Sequence, residues 1–162
     1  MGFHDPRHDH SLCASDLIAR AEAVCAARKT RLTPQRRDVL TLIAATHTAI
    51  GAYDIIERMA GAGERPAPIT IYRALDFLLA NGLVHKIESR SAYVACAHDH
   101  DGMQAAILIC DSCDSVAELD APLAFSALAE SARGQGFAAS RVVVEISGRC
   151  APCRAGQSLE DH

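Results

Sequence analysis

The sequence predicts an α+β fold in two parts: a helical N-terminal part that ends in a β-hairpin, and a small C-terminal α/β part. Apolar residues recur at helical spacing as far as Asn81-Gly82, a pair typical of a helix C-terminus. In the next two segments, Leu83–Glu88 and Ala92–Cys96, the apolar residues alternate, as they do in strands. Two Cys-x2-Cys pairs, Cys110 with Cys113 and Cys150 with Cys153, bracket most of the C-terminal part.

Four helices are predicted before the hairpin. Ser15 is the expected N-cap of the first helix, whose apolar stripe leads to Arg28. Thr33-Pro34 provides an N-cap and a first-turn proline for the second helix. The third helix is expected over Ala52–Ala60. The fourth begins near Pro68 and carries an apolar stripe of Ile71, Ala74, Leu75, Leu78 and Leu79.

Two alternating segments, Leu83–Glu88 and Ala92–Cys96, predict the strands of the hairpin. A hairpin that directly follows three or four helices is typical of a winged helix-turn-helix. The fourth helix is then the recognition helix, because Thr70 and Arg73 point away from its apolar stripe and Tyr72 flanks the stripe.

The C-terminal part is predicted to be a three-stranded antiparallel sheet with one helix. The strands are expected over Met103–Ile109, Ser115–Leu119 and Ala138–Ile146, and the helix over Ala121–Arg133. A core this small usually needs a metal or a partner subunit, so this part is predicted to be a dimerisation domain. The helix is expected to face the sheet through Leu123, Ala127, Leu128 and Ala132.

Composition and charge indicate which kinds of partner and which cellular compartment to expect. The 162-residue chain has no apolar run near the roughly 18 residues of a membrane span, and no signal-peptide pattern. Residues 1–95 hold 12 Lys+Arg against 10 Asp+Glu, whereas residues 96–162 hold 4 against 10. A polyanion would therefore meet the N-terminal part. Cys-x2-Cys spacing favours metal binding in a reducing compartment, so a cytoplasmic protein without a membrane partner is expected.

A run of basic residues crosses the boundary between the first two helices. Such a run is usually a solvated face, but this one brackets Thr33-Pro34, and a helix N-terminus beside arginines suits phosphate. Both interpretations stay open from the residues alone. The run consists of Arg28, Lys29, Arg31, Arg36 and Arg37.

The four paired cysteines predict a closed, structural zinc site. Each pair can bind zinc from a tight turn, and four thiolates complete a tetrahedron that has no open position. The 36 residues between the pairs are filled by a strand, a helix and a strand. The metal would therefore tie the end of the C-terminal part to its beginning.

A second, looser set of metal-binding residues lies where the two parts join. His85 and Cys96 leave opposite strands of the hairpin toward the same side, and His98 and His100 follow in the link. Together with Glu118 they offer nitrogen, sulfur and oxygen donors. Binding at such a joint would change the angle between the parts, as a metal sensor requires.

These motifs resemble the ferric uptake regulator (Fur) family, and within it the zinc uptake regulator branch. The resemblance covers roughly Leu17 to Cys153. It implies a repressor without enzymatic activity, which binds a palindromic DNA operator as a metal-loaded homodimer and controls zinc uptake genes. Metal ions are then its only small-molecule ligands. Its most specific motifs are Arg31 to Arg36, Thr70 to Leu78, Val84 to Glu88 and the two cysteine pairs.

The resemblance implies Tyr53 and Arg73 as DNA contacts, and Thr70, Tyr72 and Arg36 are expected to join them. The predicted elements set the expected domain limits. Residues 1–14 are expected to form a flexible arm, 15–95 the winged-helix DNA-binding domain, 96–102 a hinge, 103–156 the dimerisation and zinc-binding domain, and 157–162 a tail.

Two zinc ions per subunit are implied by the resemblance. Cys110, Cys113, Cys150 and Cys153 would hold the structural zinc. The regulatory zinc would be held by His85, Cys96, Glu118 and one histidine of the link. Relatives commonly place that histidine nearer the following strand, where this chain has Met103. His100 is therefore expected to be the ligand, with His98 as the alternative.

Three other functions stay open. The same fold would also serve a sensor of iron, nickel or peroxide, but the Cys96 thiolate suits zinc, whereas those sensors favour nitrogen and oxygen ligands. A structural zinc adaptor that binds protein would need neither Arg73 nor the basic run. A zinc hydrolase would need an open coordination position and a general base, and the sequence has no His-Glu-x-x-His motif.

Overall fold

The computed structural model describes residues 10–46, 48–61, 63, 65–96 and 105–157. The chain divides into two compact units, one within residues 4–102 and the other within residues 103–162. The mixed helix and strand content confirms the predicted α+β class. The finer domain limits stay predictions, because residues 1–9, 97–104 and 158–162 lie outside the described residues.

The N-terminal unit (residues 10–96) combines α-helices with a small antiparallel sheet around one apolar core. The helices contribute Leu40, Ile43, Ile55 and Leu75 to this core, all of them fully buried. In chain order the elements are α1 (His10–Ala27), α2 (Pro34–Ala44), β1 (Ile50–Gly51), α3 (Ala52–Gly61), α4 (Pro68–Ala80), β2 (Val84–Ile87), a 3₁₀ turn (Glu88–Arg90) and β3 (Ala92–Ala95).

The beginnings of the first two helices differ in how well the sequence predicts them. Thr33 caps α2 as expected, since its side chain accepts the Arg36 backbone N–H and Pro34 opens the first turn. The predicted N-cap at Ser15 is wrong, because α1 already begins at His10. A serine just before an apolar stripe looks like an N-cap in the sequence. The same pattern arises when the helix continues through the serine toward the N-terminus, as it does here.

Helix α4 ends where Asn81-Gly82 predicts. Gly82 adopts a φ of +66°, which a residue without a Cβ accepts at little cost, and its N–H bonds to the Leu79 carbonyl. The Asn81 side chain donates to the Phe77 carbonyl at 2.8 Å, and Arg28, the first residue after α1, donates to the Ala80 carbonyl at 2.9 Å. These donors satisfy terminal carbonyls of α4 and fix its end against α1.

The hairpin forms as predicted and gains one strand. Strands β2 and β3 pair antiparallel, with His85 opposite Val94. The short β1 adds to the other edge of β3 through Ile50 opposite Tyr93, so the sheet order is β1-β3-β2. Two residues carry no periodic signal, which is why β1 was not predicted.

The C-terminal unit (residues 105–157) is a three-stranded sheet with helices, but the sheet is mixed. Strands β4 and β5 are antiparallel, whereas β4 and β6 are parallel, so the all-antiparallel prediction is wrong. The chain crosses over through α5 and places β6 on the far edge of β4, and alternation within a strand does not encode its direction. The elements are β4 (Ala105–Cys110), β5 (Val116–Asp120), α5 (Pro122–Gly134), β6 (Glu145–Gly148) and α6 (Ala151–Gln157).

Helix α5 turns a different face inward from the one expected. Phe125 is buried, while Leu123 is 85% exposed and Leu128 is also exposed. The predicted inward stripe is therefore wrong for Leu123, Ala127 and Leu128, and only Ala132 is half-buried. Leucines are the more numerous large apolar residues of α5, but its one buried side chain is the aromatic ring of Phe125. None of the described helices is long and apolar enough to span a membrane.

Candidate metal centres and nucleic-acid interface

The parallel pairing of β4 and β6 gathers the four paired cysteines. Cys110 ends β4 opposite Gly148 of β6, so the carboxyl ends of both strands lie at one edge of the sheet. The turn after β4 carries Cys113, and Cys150 follows β6 by two residues. Cys153 lies in the first turn of α6, so one edge of the C-terminal unit presents all four thiols.

The geometry of this four-cysteine cluster fits a tetrahedral zinc ion. The four sulfur atoms all lie within 4.8 Å of one another, and the Cys113 and Cys150 sulfurs are 3.7 Å apart. A tetrahedron with Zn–S bonds of about 2.3 Å has edges of roughly 3.8 Å. Four thiolates leave no open position for a substrate, so the cluster is suited to a structural role.

The pKa values of the thiols in the cluster also favour the binding of a cation. The backbone N–H of Cys150, joined by those of Ser112 and Cys113, outweighs burial and lowers the pKa of Cys110 to about 6. Hydrogen bonds with the Cys150 thiol and then with Cys113 raise the pKa of Cys153 to about 12. One thiolate therefore forms readily and a further thiolate beside it does not, unless a bound cation offsets the repulsion.

Two residues of the second predicted set lie together within the N-terminal unit. His85 pairs with Val94, and Cys96 lies two residues beyond Val94 on the same face of the sheet. A ring nitrogen of His85 and the sulfur of Cys96 lie within 4.8 Å of each other, and both residues are buried. The hairpin therefore preforms a nitrogen–sulfur pair of the kind that zinc binds.

Both backbone polar groups of Cys96 form hydrogen bonds within the N-terminal unit. Its N–H donates to the Leu83 carbonyl at 3.0 Å, and its own carbonyl accepts a hydrogen bond from the Arg20 guanidinium of α1. These contacts fix the backbone that carries the thiol at the end of β3. The Arg20 contact was missed from sequence, because nothing local links α1 to a residue 76 positions away.

The other predicted members of the second set come from other parts of the chain. Glu118 belongs to the C-terminal unit, on β5, where it lies opposite Ile107 of β4. His98 and His100 lie outside the described residues. Their part in metal binding stays a prediction.

One face of α4 presents most of the predicted DNA contacts. Tyr72 and Arg73 are exposed there, whereas Thr70 is half-buried and its N–H bonds to the Ala67 carbonyl. Tyr53, on the neighbouring helix α3, is 68% exposed. The sequence spacing did not single out Ile69, which is also exposed on α4. Its position three and four residues before Tyr72 and Arg73 was the available signal.

Part of the basic run is engaged within the chain. The Arg36 guanidinium lies 3.5 Å from the centre of the Phe77 ring and donates to the Arg31 carbonyl at 2.6 Å. Arg37 forms an ion pair with Glu22. Arg36 thus packs α2 against α4, a contact that positions the recognition helix whatever else this residue binds.

Comparison with known proteins places the chain in a family. The ferric uptake regulator family matches residues 27–147. The chain belongs to the ferric uptake regulator family. Among its Fur relatives, the zinc uptake regulation protein of Escherichia coli K12 is 43% identical over 139 residues, which cover 85% of this chain and 81% of that protein. The zinc uptake regulation protein of Mycobacterium tuberculosis is 30% identical over 77% of this chain and 95% of its own length.

Solved structures of Fur proteins agree with this assignment. A zinc uptake regulator complexed with zinc and DNA has a TM-score of 0.84 and 41% identity, covering 90% of this chain and 97% of that chain. The holo form of XcZur has a TM-score of 0.78 and 41% identity, covering 88% of this chain and 99% of that chain. The winged helix-turn-helix and the C-terminal α/β unit are therefore those of a Fur protein.

Proposed function

We propose that this Fur-family protein is a zinc-responsive transcriptional repressor, which binds a palindromic operator as a metal-loaded homodimer and controls zinc uptake genes. The observation that carries the proposal is its likeness to a zinc uptake regulator bound to zinc and DNA, at 41% identity over 90% of the chain. The relatives named above are zinc uptake regulation proteins. Regulators of this family are not enzymes, and the protein is proposed to act in the cytoplasm.

The four-cysteine cluster is proposed to hold a structural zinc. Its closed donor set and the 3.7 Å separation of two of its sulfurs support this assignment. When bound, zinc would supply the positive charge that keeps neighbouring thiols ionised. The chain contributes Cys110 from β4 and Cys150 from just beyond β6, so metal binding would secure the only parallel pairing among the described strands.

A second zinc per subunit is proposed for the regulatory site. His85 and Cys96 support it, because they form a buried nitrogen–sulfur pair on the hairpin. We propose that Glu118 and His100, or else His98, complete the set. These ligands come from both units and from the link between them. Occupation of the site would therefore restrict how the two DNA-binding units of a dimer are presented to an operator.

The DNA-binding and dimer surfaces are proposed to lie in different units. The exposed face of α4, with Tyr72 and Arg73, would enter the major groove, and Tyr53 of α3 would contact DNA beside it. The C-terminal unit exposes large apolar side chains that a partner subunit would cover. They are Leu119, Leu123, Leu128, Phe137, Val143 and Ile146.

The metal-binding residues and the exposed face of α4 favour this function over its alternatives. A sensor of iron or peroxide would favour nitrogen and oxygen ligands, whereas Cys96 offers a thiolate beside His85. A hydrolase needs an open metal position, which the four-cysteine cluster does not have. A zinc adaptor would give no reason for a recognition helix that exposes Arg73.

Cys96→Ser is expected to leave the dimer intact and to remove most of the zinc response of operator binding. Serine keeps the size of the side chain but loses the thiolate that zinc prefers. Allosteric coupling is typically about 1–3 kcal/mol, so wild-type affinity should rise roughly 5- to 150-fold with zinc, and the variant should show little rise. The measurement is operator binding by fluorescence anisotropy at buffered free zinc.

Cys25→Ala is the matched control for this experiment. Cys25 is a buried thiol on α1 that belongs to neither metal-binding set of the described residues. The control should keep the zinc response. An undiminished response in Cys96→Ser would remove Cys96 from the regulatory site.

A further inference from the structure

The exposed face of α4 has an apolar member at its first turn. Ile69, Tyr72, Arg73 and Asp76 recur at helical spacing, and all four are exposed. The opposite face is buried through Ile71, Ala74, Leu75 and Leu78. Ile69 is 58% exposed, so a large β-branched side chain stands in water next to the proposed base-reading residues.

The position of Ile69 suits a contact with the edge of a base. The N-terminal residues of a recognition helix reach the bases of the major groove, and Ile69 is the second residue of α4. The neighbouring Thr70 is half-buried and therefore less available. Pro68 and Ile69 give this turn an apolar surface, so it is not built for hydrogen bonds with base edges.

The major groove offers one apolar group, the C5-methyl of thymine. We propose that Ile69 recognises a thymine in each operator half-site by packing against this methyl group. The inference rests on the proposed function, because it needs α4 in the major groove. It adds an apolar determinant of sequence to the polar contacts of Arg73, and it assigns that determinant to a residue outside the predicted DNA contacts.

The test replaces thymine with deoxyuridine, which removes only the methyl group. An operator is first selected from random duplexes with the zinc-loaded wild-type protein, and each symmetric pair of thymines is then substituted in turn. Loss of one buried methyl contact weakens binding about fourfold for each half-site. One symmetric pair should therefore cost the wild type roughly sixteenfold, if the two half-sites act additively.

Ile69→Ala should bind the thymine operator about as weakly as the wild type binds the substituted one. The variant should lose no further affinity when that one pair is replaced, while it keeps its sensitivity at every other pair. Ile69→Val retains a branched side chain and should keep most of the discrimination. Circular dichroism and sedimentation should match the wild type for both variants, because Ile69 is a surface residue.

Several outcomes would overturn the inference. Ile69→Ala with the wild-type pattern of deoxyuridine penalties would show that Ile69 reads no methyl group. A changed oligomeric state in Ile69→Ala would assign the residue to a contact between subunits instead. If the zinc-loaded wild type selects no operator at all, the proposed function fails and the inference fails with it.

Discussion

We expect Cys150→Ser to release the structural zinc, unfold the C-terminal unit and leave the protein monomeric. Cys150 is buried within the cluster, 3.7 Å from the Cys113 sulfur, and its N–H donates to the Cys110 sulfur. Structural zinc contributes about 10–16 kcal/mol in zinc-finger peptides, comparable with the whole stability of a typical domain, about 5–15 kcal/mol. Helix α5 adds only one buried residue, Phe125, to the small apolar core of this unit, so the metal is expected to supply much of its stability.

Three measurements check this result. They are zinc content per subunit, oligomeric state by analytical ultracentrifugation, and the thermal unfolding curve. Cys25→Ala serves again as the control, since it also removes a buried thiol but lies on α1, and it should keep both zinc and dimer. A soluble Cys150→Ser dimer with an unchanged unfolding transition would show that the metal is dispensable for the fold.

Arg73→Ala should abolish specific operator binding while the dimer and its zinc content survive. Arg73 is exposed on the face of α4 that also carries Tyr72, where an arginine suits a bidentate contact with guanine. Each such contact is worth about 1–3 kcal/mol, so two half-sites lose roughly 2–6 kcal/mol, which is about thirtyfold or more. Fluorescence anisotropy with operator and non-operator duplexes measures the loss.

The control for Arg73→Ala is Arg133→Ala. Arg133 is an exposed arginine in the last turn of α5, so its removal changes the net charge equally without touching the recognition helix. Its operator affinity should stay close to that of the wild type. Unchanged affinity in Arg73→Ala would favour the zinc adaptor over the repressor.

The elements that the sequence predicts well are those whose signals are local. Thr33-Pro34 starts α2, Asn81-Gly82 ends α4, and alternation marks β2 and β3. Each signal depends on backbone geometry within one turn or one strand, which a few residues determine. The spacing of the cysteine pairs is equally local, and it predicted a cluster that the fold does bring together.

The wrong predictions concern features that depend on contacts between distant parts of the chain. The direction of β6 depends on the crossover through α5, and the inward face of α5 depends on which side chain fits the sheet. Leu123 looks like a core residue in sequence but is exposed, as befits a surface that a partner would cover. Such differences depend on tertiary packing and on assembly, which no short pattern encodes.

Among the candidate site residues, too, those with a local sequence pattern were predicted and those without one were missed. Alternation placed His85 and Cys96 on one face of the hairpin, and the pair is close in the fold. The packing of Arg36 against Phe77 was not foreseen, because a basic residue near a helix start has the same pattern whether it contacts phosphate or an aromatic ring. Ile69 was missed because an exposed isoleucine has no motif of its own.

Zinc content and operator affinity, measured together on one sample, test the central proposal most directly. We expect the purified dimer to hold two zinc ions per subunit and to bind its operator. Mild chelation should leave one zinc per subunit and an intact dimer without operator affinity, and added zinc should restore binding where iron does not. Operator binding that is independent of the second zinc, or that iron alone restores, would contradict the proposal.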